Sequence, residues 1–132
     1  MERDDTVQED TSTDPLALAR ELERSARAVA DAVSSFSKPS ESTEVLSVLK
    51  AAQETVAAAY AELASWHGRA QLGVHHAGEH DPRDPQNPGW VRAQVALEEA
   101  AQYAADAAAA LERARSANMS ARWFDEISDD GV

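Results

Sequence analysis

The chain has no cysteine, so disulfides and thiol chemistry are excluded. Aromatic residues are scarce, at 5%, and large aliphatic side chains are few. A core built this way buries little area per residue, so stability leans on helix propensity and close packing. No apolar run approaches the roughly 20 residues needed to span a bilayer. The acidic N-terminus lacks the apolar core of a secretory signal, and a cytoplasmic location is the expectation. Basic residues are also in deficit: 12 Lys and Arg stand against 24 Asp and Glu, a net charge of −12. That balance argues against nucleic acid, which needs a basic footprint. No nucleophile–base motif, phosphate loop, nucleotide fingerprint or pair of catalytic carboxylates is visible, so the sequence reads as non-catalytic and without a cofactor.

What the chain has in abundance is alanine at helical spacing, densest between Trp90 and Ala121 and including four in a row at 107–110. Alanine has the highest helix propensity, because it loses no side-chain entropy and buries no polar group. Its small side chain also lets two helix axes approach closely. The excess of negative charge lies at the two ends. Glu2, Asp4, Asp5, Glu9, Asp10 and Asp14 face Arg3 alone, and Asp125, Glu126, Asp129 and Asp130 follow the last base, Arg122. Residues 1–13 offer nothing to bury and read as a disordered acidic tail, and 128–132 as a second acidic tail.

Between the tails, start and stop signals divide residues 14–127 into three helices. Asp14-Pro15 pairs an N-cap acceptor with a proline suited to the first helical position. The first helix is predicted over about 15–36, with Leu18, Leu22, Ala26, Val29, Val33 and Phe36 on one stripe. Pro39 breaks it, and Ser40 is placed to cap a second helix over about 41–71, with Glu41 and Glu44 near its positive end. Its stripe, Val45, Leu49, Ala52, Val56, Tyr60, Leu63 and Trp66 or His67, is close to a heptad repeat of the coiled-coil type. A Gly- and Pro-rich segment from Gly73 to Gly89 follows. Asn87-Pro88 repeats the cap-plus-proline signal ahead of a third helix over about 88–126, striped by Val91, Gln94, Leu97, Ala101, Ala104, Ala108 and Leu111. The fold class expected is all-α: an antiparallel three-helix bundle of unequal helices with a long loop between the second and third. At about 1.5 Å per residue the three measure roughly 33, 46 and 58 Å. The shortest therefore leaves one end of the other two uncovered. That tip carries Leu63, Trp66, His67, Leu72, Trp90 and Val91. These six are the candidate partner-binding residues. Met119, Trp123, Phe124 and Ile127 form an apolar cluster at the other end, where Trp123 and Phe124 are expected in the core beneath Leu16 and Leu18.

All four histidines lie between positions 67 and 80, beside Glu79, Asp81 and Asp84. Imidazole and carboxylate are ordinary ligands of divalent metals, which makes His75, His76 and His80 candidate metal ligands and opens a metal-binding or hydrolytic alternative. Against it, no His-x-x-x-His or Glu-x-x-His pair falls on a helix. Arg69 and His75 form an Arg-x5-His spacing similar to an element of the HEPN ribonuclease families, which would imply RNA as substrate. Trp66-His67-Gly68 resembles the Trp-x-Gly turn of the WXG100 family, small helical hairpins exported by type VII secretion systems. This resemblance implies a hairpin and an export substrate. The family's C-terminal Tyr-x-x-x-Asp/Glu signal has no counterpart, since Tyr103 has Asp106 three residues on. The reading expected overall is a helical interaction or adaptor protein. Its helical face or hairpin tip binds another protein or a second copy of the chain, and neither nucleic acid nor membrane.

Overall fold

A computed structural model describes residues 13–35, 38–78 and 88–123. Among the described residues the elements are three helices: α1, Pro15–Ala32; α2, Glu41–Gly68; and α3, Gly89–Met119. No strand occurs among the described residues, and the one backbone bridge, Leu72 with His76, lies in the loop after α2. The chain divides into two compact units, Met1–Pro39 and Ser40–Val132.

The first unit holds α1. Asp14 caps it as its type dictates, its carboxylate accepting from the Leu16 N–H at 3.3 Å with Pro15 in the first turn. Glu23 and Arg27 pair across one turn on its surface. The helix stops at Ala32 rather than 36: Val33 takes the C-cap, and the Ser34 hydroxyl turns back to donate to the Asp31 carbonyl at 3.0 Å. Serine competes with the helix for its own backbone, which the apolar stripe alone does not register. None of the residues of α1 is buried, and Leu18, Leu22, Val29 and Val33 are all exposed. Phe36 lies outside the described residues.

The second unit is an antiparallel hairpin of α2 and α3. Its register is fixed by contacts along its length. The Asn118 side-chain amide donates to the Thr43 hydroxyl at 2.7 Å near the open end. Lys50 Nζ lies 3.7 Å from Glu112 one level in, and Gly68 abuts Gln94 at the closed end. The buried residues between the helices are alanines: Ala64, Ala104 and Ala108. Small side chains at the seam let helix backbones come together at the short end of the usual range of about 8–10 Å.

α2 starts at Glu41 as predicted, with Glu41 and Glu44 in its first turn, but Ser40 occupies the N-cap position without a side-chain capping bond. It ends at Gly68 rather than 71, where the Arg69 N–H is shared between the carbonyls of Ser65 and Trp66 at 3.2 and 3.1 Å. Gly68 faces the Gln94 amide: a Cβ there would stand 2.7 Å from Gln94 Nε2 and 3.1 Å from its Cδ, contacts that the flexible glutamine relieves by turning aside. α3 begins one residue later than predicted, because Pro88 holds the extended N-cap position (φ −63°, ψ 160°); Asn87 lies outside the described residues. It ends at Met119, not 126. The Ser120 hydroxyl donates to the Ala117 carbonyl at 2.8 Å, and the Trp123 indole folds back to donate to the Asn118 carbonyl (3.3 Å) and side-chain oxygen (3.1 Å). Trp123 is exposed rather than in the core, and Phe124 and Ile127 lie outside the described residues. No described helix is long and apolar enough to cross a membrane.

Candidate interaction surface

The hairpin has two unlike flanks and a closed end. One flank is a shallow groove of about 390 Å³ floored by Ala57, Ala105, Ala108 and Ala109 and edged by Lys50, Glu54 and Glu112. Arg115 grips Glu112 with two nitrogens, at 3.0 and 2.8 Å. That guanidinium holds the Glu112 carboxyl below the usual carboxylate range, with Lys50 adding to the effect. At 100° per residue the opposite flank collects Val45, Val48, Ala52, Val56 and Ala59 from α2, with Ala100, Tyr103, Ala107, Ala110 and Ala114 from α3. Glu41 and Arg92 share that side, at the angles of Ala59 and Ala110, and Val48 and Tyr103 are exposed.

At the closed end the chain does not trail off as a solvated loop. Residues 70–78 coil back against both helices. The Val74 and His75 N–H groups donate to the Gln71 carbonyl at 3.1 and 2.8 Å, and Gly73 N–H to the His76 carbonyl at 2.8 Å. Gly73 turns with φ +82°, a region that side chains with a Cβ avoid. Two imidazoles complete the turn. His75 Nδ1 accepts the Gln71 N–H at 3.0 Å, and His76 Nδ1 accepts the Gly78 N–H at 3.2 Å. A neutral ring used this way carries its proton on Nε2. Each ring also meets a tryptophan. His75 lies edge-on to Trp66, centroids 6.0 Å apart, and His76 tilts against Trp90 at 6.2 Å. His67 stands edge-on to Trp66 at 5.1 Å. Histidine thus ties the end of α2 to the start of α3.

The six sequence-predicted partner residues fall at this end, at differing depths. Leu63, Trp66 and Leu72 are 49%, 48% and 68% exposed, while His67, Trp90 and Val91 are half-buried. Val74, 70% exposed, joins them and was missed; an isolated valine in a glycine-rich loop carries no periodic signal. Leu63, Trp66, Leu72 and Val74 are the exposed large apolar side chains described at this end, which also carries Arg69 and Arg92.

Of the metal candidates, His75 and His76 each have Nδ1 engaged by the backbone, and His80 lies outside the described residues with Glu79, Asp81 and Asp84. Among the described residues no group of three or more His, Asp or Glu is placed to hold a metal ion. Arg69 and His75 sit on one turn, but no described hydrogen bond joins their side chains. Trp66-His67-Gly68 does close the first helix of a hairpin, although the connection that follows, from Arg69 to Pro88, is far longer than a tight turn. No protein-family model, curated protein or solved structure matches this chain.

Proposed function

We propose that this is a non-catalytic, cytoplasmic interaction protein whose hairpin tip docks another protein, and that the chain forms the antiparallel three-helix bundle its sequence predicts. The observation that carries the docking reading is the exposed apolar patch of Leu63, Trp66, Leu72 and Val74 on a loop held rigid by its own hydrogen bonds. Protein-binding sites concentrate in such patches, where an aromatic anchor stands on a preorganised backbone. An ordered loop loses little entropy on binding.

The bundle reading rests on the exposed apolar stripe of α1, Leu18, Leu22, Val29 and Val33, which a lone helix leaves in water, and on the short connection from Val33 to Ser40, which favours an antiparallel neighbour.

The test uses partner capture from the native host beside urea unfolding of the same preparations. Trp66→Ala is expected to lose captured partner while keeping most of the wild-type stability. Unchanged capture overturns the reading. So does a loss of about 3–5 kcal/mol in stability, which is the cost of emptying a packed core site.

A further inference from the structure

We infer that residues 71–78 form a pH-sensitive latch, closed while the His75 and His76 imidazoles are neutral and opened when they take up protons. Leu72 and Val74 sit within it, so opening moves two of the apolar side chains by which the tip is read as a docking surface. The latch itself does not depend on that reading.

The two rings hold the backbone at both ends of the segment. Its first amide, Gln71 N–H, donates to His75 Nδ1 at 3.0 Å, and its last, Gly78 N–H, donates to His76 Nδ1 at 3.2 Å. Between them the Gly73 N–H donates to the His76 carbonyl at 2.8 Å, and the backbone turns at Gly73 and Gly78 with φ +82° and +114°. A neutral ring accepts at Nδ1 while its proton sits on Nε2, whereas the charged ring is a donor at both nitrogens. Protonation therefore sets N–H against N–H at each end, and neither bond survives it. The closed form binds neither extra proton and the open form binds both, so closure is favoured as pH rises and lost as pH falls. Histidine is the side chain whose charge ordinarily changes between about pH 5 and 8.

Protons reach both rings without unfolding the helices, since His75 is exposed and His76 half-buried. Gln71 and Gly78 are exposed as well, so their freed amides pass to water rather than being left unpaired. The buried residues Ala64, Ala104 and Ala108 belong to the helices and take no part. Charged and titratable groups reach this end from each neighbouring element. α2 and its C-cap bring Glu62, His67 and Arg69, and the first turn of α3 brings Arg92. Glu79, His80, Asp81 and Asp84 follow in the chain, outside the described residues. Positive neighbours disfavour a charged ring and carboxylates favour it. Either sign moves the pH at which the latch opens, and neither gives a protonated Nδ1 a lone pair with which to accept.

The experiment is NMR of the isotope-labelled full chain over a pH series, with circular dichroism of the same samples. It compares wild type, the pair His75→Asn with His76→Asn, and the pair His75→Phe with His76→Phe. Asparagine sets a carbonyl oxygen where Nδ1 stood and does not titrate; phenylalanine keeps a ring and offers no acceptor. In the wild type, hydrogen-exchange protection at Gln71 and Gly78, corrected for the intrinsic rate, is expected to fall about tenfold between about pH 7.5 and 5.5, which bracket the ordinary imidazole value of about 6.5. Ring nitrogen shifts should report the Nε2–H tautomer before the fall and the charged ring after it, at constant helical ellipticity. The asparagine pair is expected to keep its protection throughout, and the phenylalanine pair to lack it even at neutral pH. Protection that stays constant in the wild type while both rings titrate overturns the inference. So does a loss that persists in the asparagine pair, which assigns the response to His67, His80 or a carboxylate, and so does full protection in the phenylalanine pair. A simultaneous loss of helix marks global unfolding and overturns it as well. Partner capture enters none of these measurements, so the docking reading stands or falls separately.

Discussion

Replacing Ala64 with leucine tests whether the two long helices meet through a seam that tolerates nothing larger than a methyl group. Ala64 is the most buried residue described, at 2% exposure, and lies one turn before Gly68, which abuts Gln94 of α3. Leucine has nearly the helix propensity of alanine, so the backbone is not penalised. The three added carbons have no space to enter, and forcing them in costs about 1–3 kcal/mol. For a unit of this size that is a fall in Tm on the order of 10 °C. The control is Ala58→Leu, on the same helix at an exposed position, where the change is expected to stay within about 0.5 kcal/mol. Urea unfolding followed by circular dichroism measures both from the midpoint, at constant slope. If Ala64→Leu is as stable as Ala58→Leu, or more stable than wild type, the seam is loosely packed and the close-approach argument fails.

Other expectations are independent of that one. Asn118→Ala removes the partner of the Thr43 hydroxyl and of the Trp123 indole and is expected to cost about 1–2 kcal/mol; a double-mutant cycle with Thr43→Ala should return a positive coupling, and strict additivity refutes the bond. Glu112→Gln bears on pH. The folded-state carboxyl is held low by Arg115, so its contribution is present above the ordinary carboxylate range and is lost as pH falls through the folded value. The stability gap between wild type and Glu112→Gln should therefore close on acidification, and a gap constant with pH contradicts it. His75→Phe keeps a ring against Trp66 but removes the Nδ1 acceptor of the Gln71 amide. Hydrogen exchange at Gln71 should accelerate, with α2 protection unchanged; unchanged exchange at Gln71 shows that the turn does not depend on the imidazole.

The helices were legible where a single local rule decides. Asp14-Pro15 announces α1 because a carboxylate acceptor followed by a ring-locked φ has few other uses, and Pro39 separates α1 from α2. Their C-terminal ends were not legible. Apolar stripes continue past Ala32 and Met119, and what stops the helices is a serine hydroxyl bonding back to a carbonyl and, at α3, an indole returning from Trp123. Both compete locally with a pattern that spans many residues. The closed end of the hairpin was legible as a location, since the glycines and prolines from Gly73 to Gly89 mark where the chain turns back. Its interior was not. Nothing in the spacing of His75 and His76 says that each spends its Nδ1 on a backbone amide, and a glycine-rich sequence reads as open loop until those bonds close it.

A smooth contact between two rods records poorly where one should stop against the other. Where the seam is alanine, at Ala64, Ala104 and Ala108, no large side chain interlocks to oppose a one-turn slip. What distinguishes the native alignment is polar and steric detail placed along the rods: an amide and a hydroxyl at one end, a lysine and a glutamate further in, and a glycine beneath a glutamine at the other. The alignment memory of this hairpin is thus held by a few side chains that add little to its gross stability. Replacing them together, with every alanine left in place, would yield a hairpin that still forms but samples more than one setting.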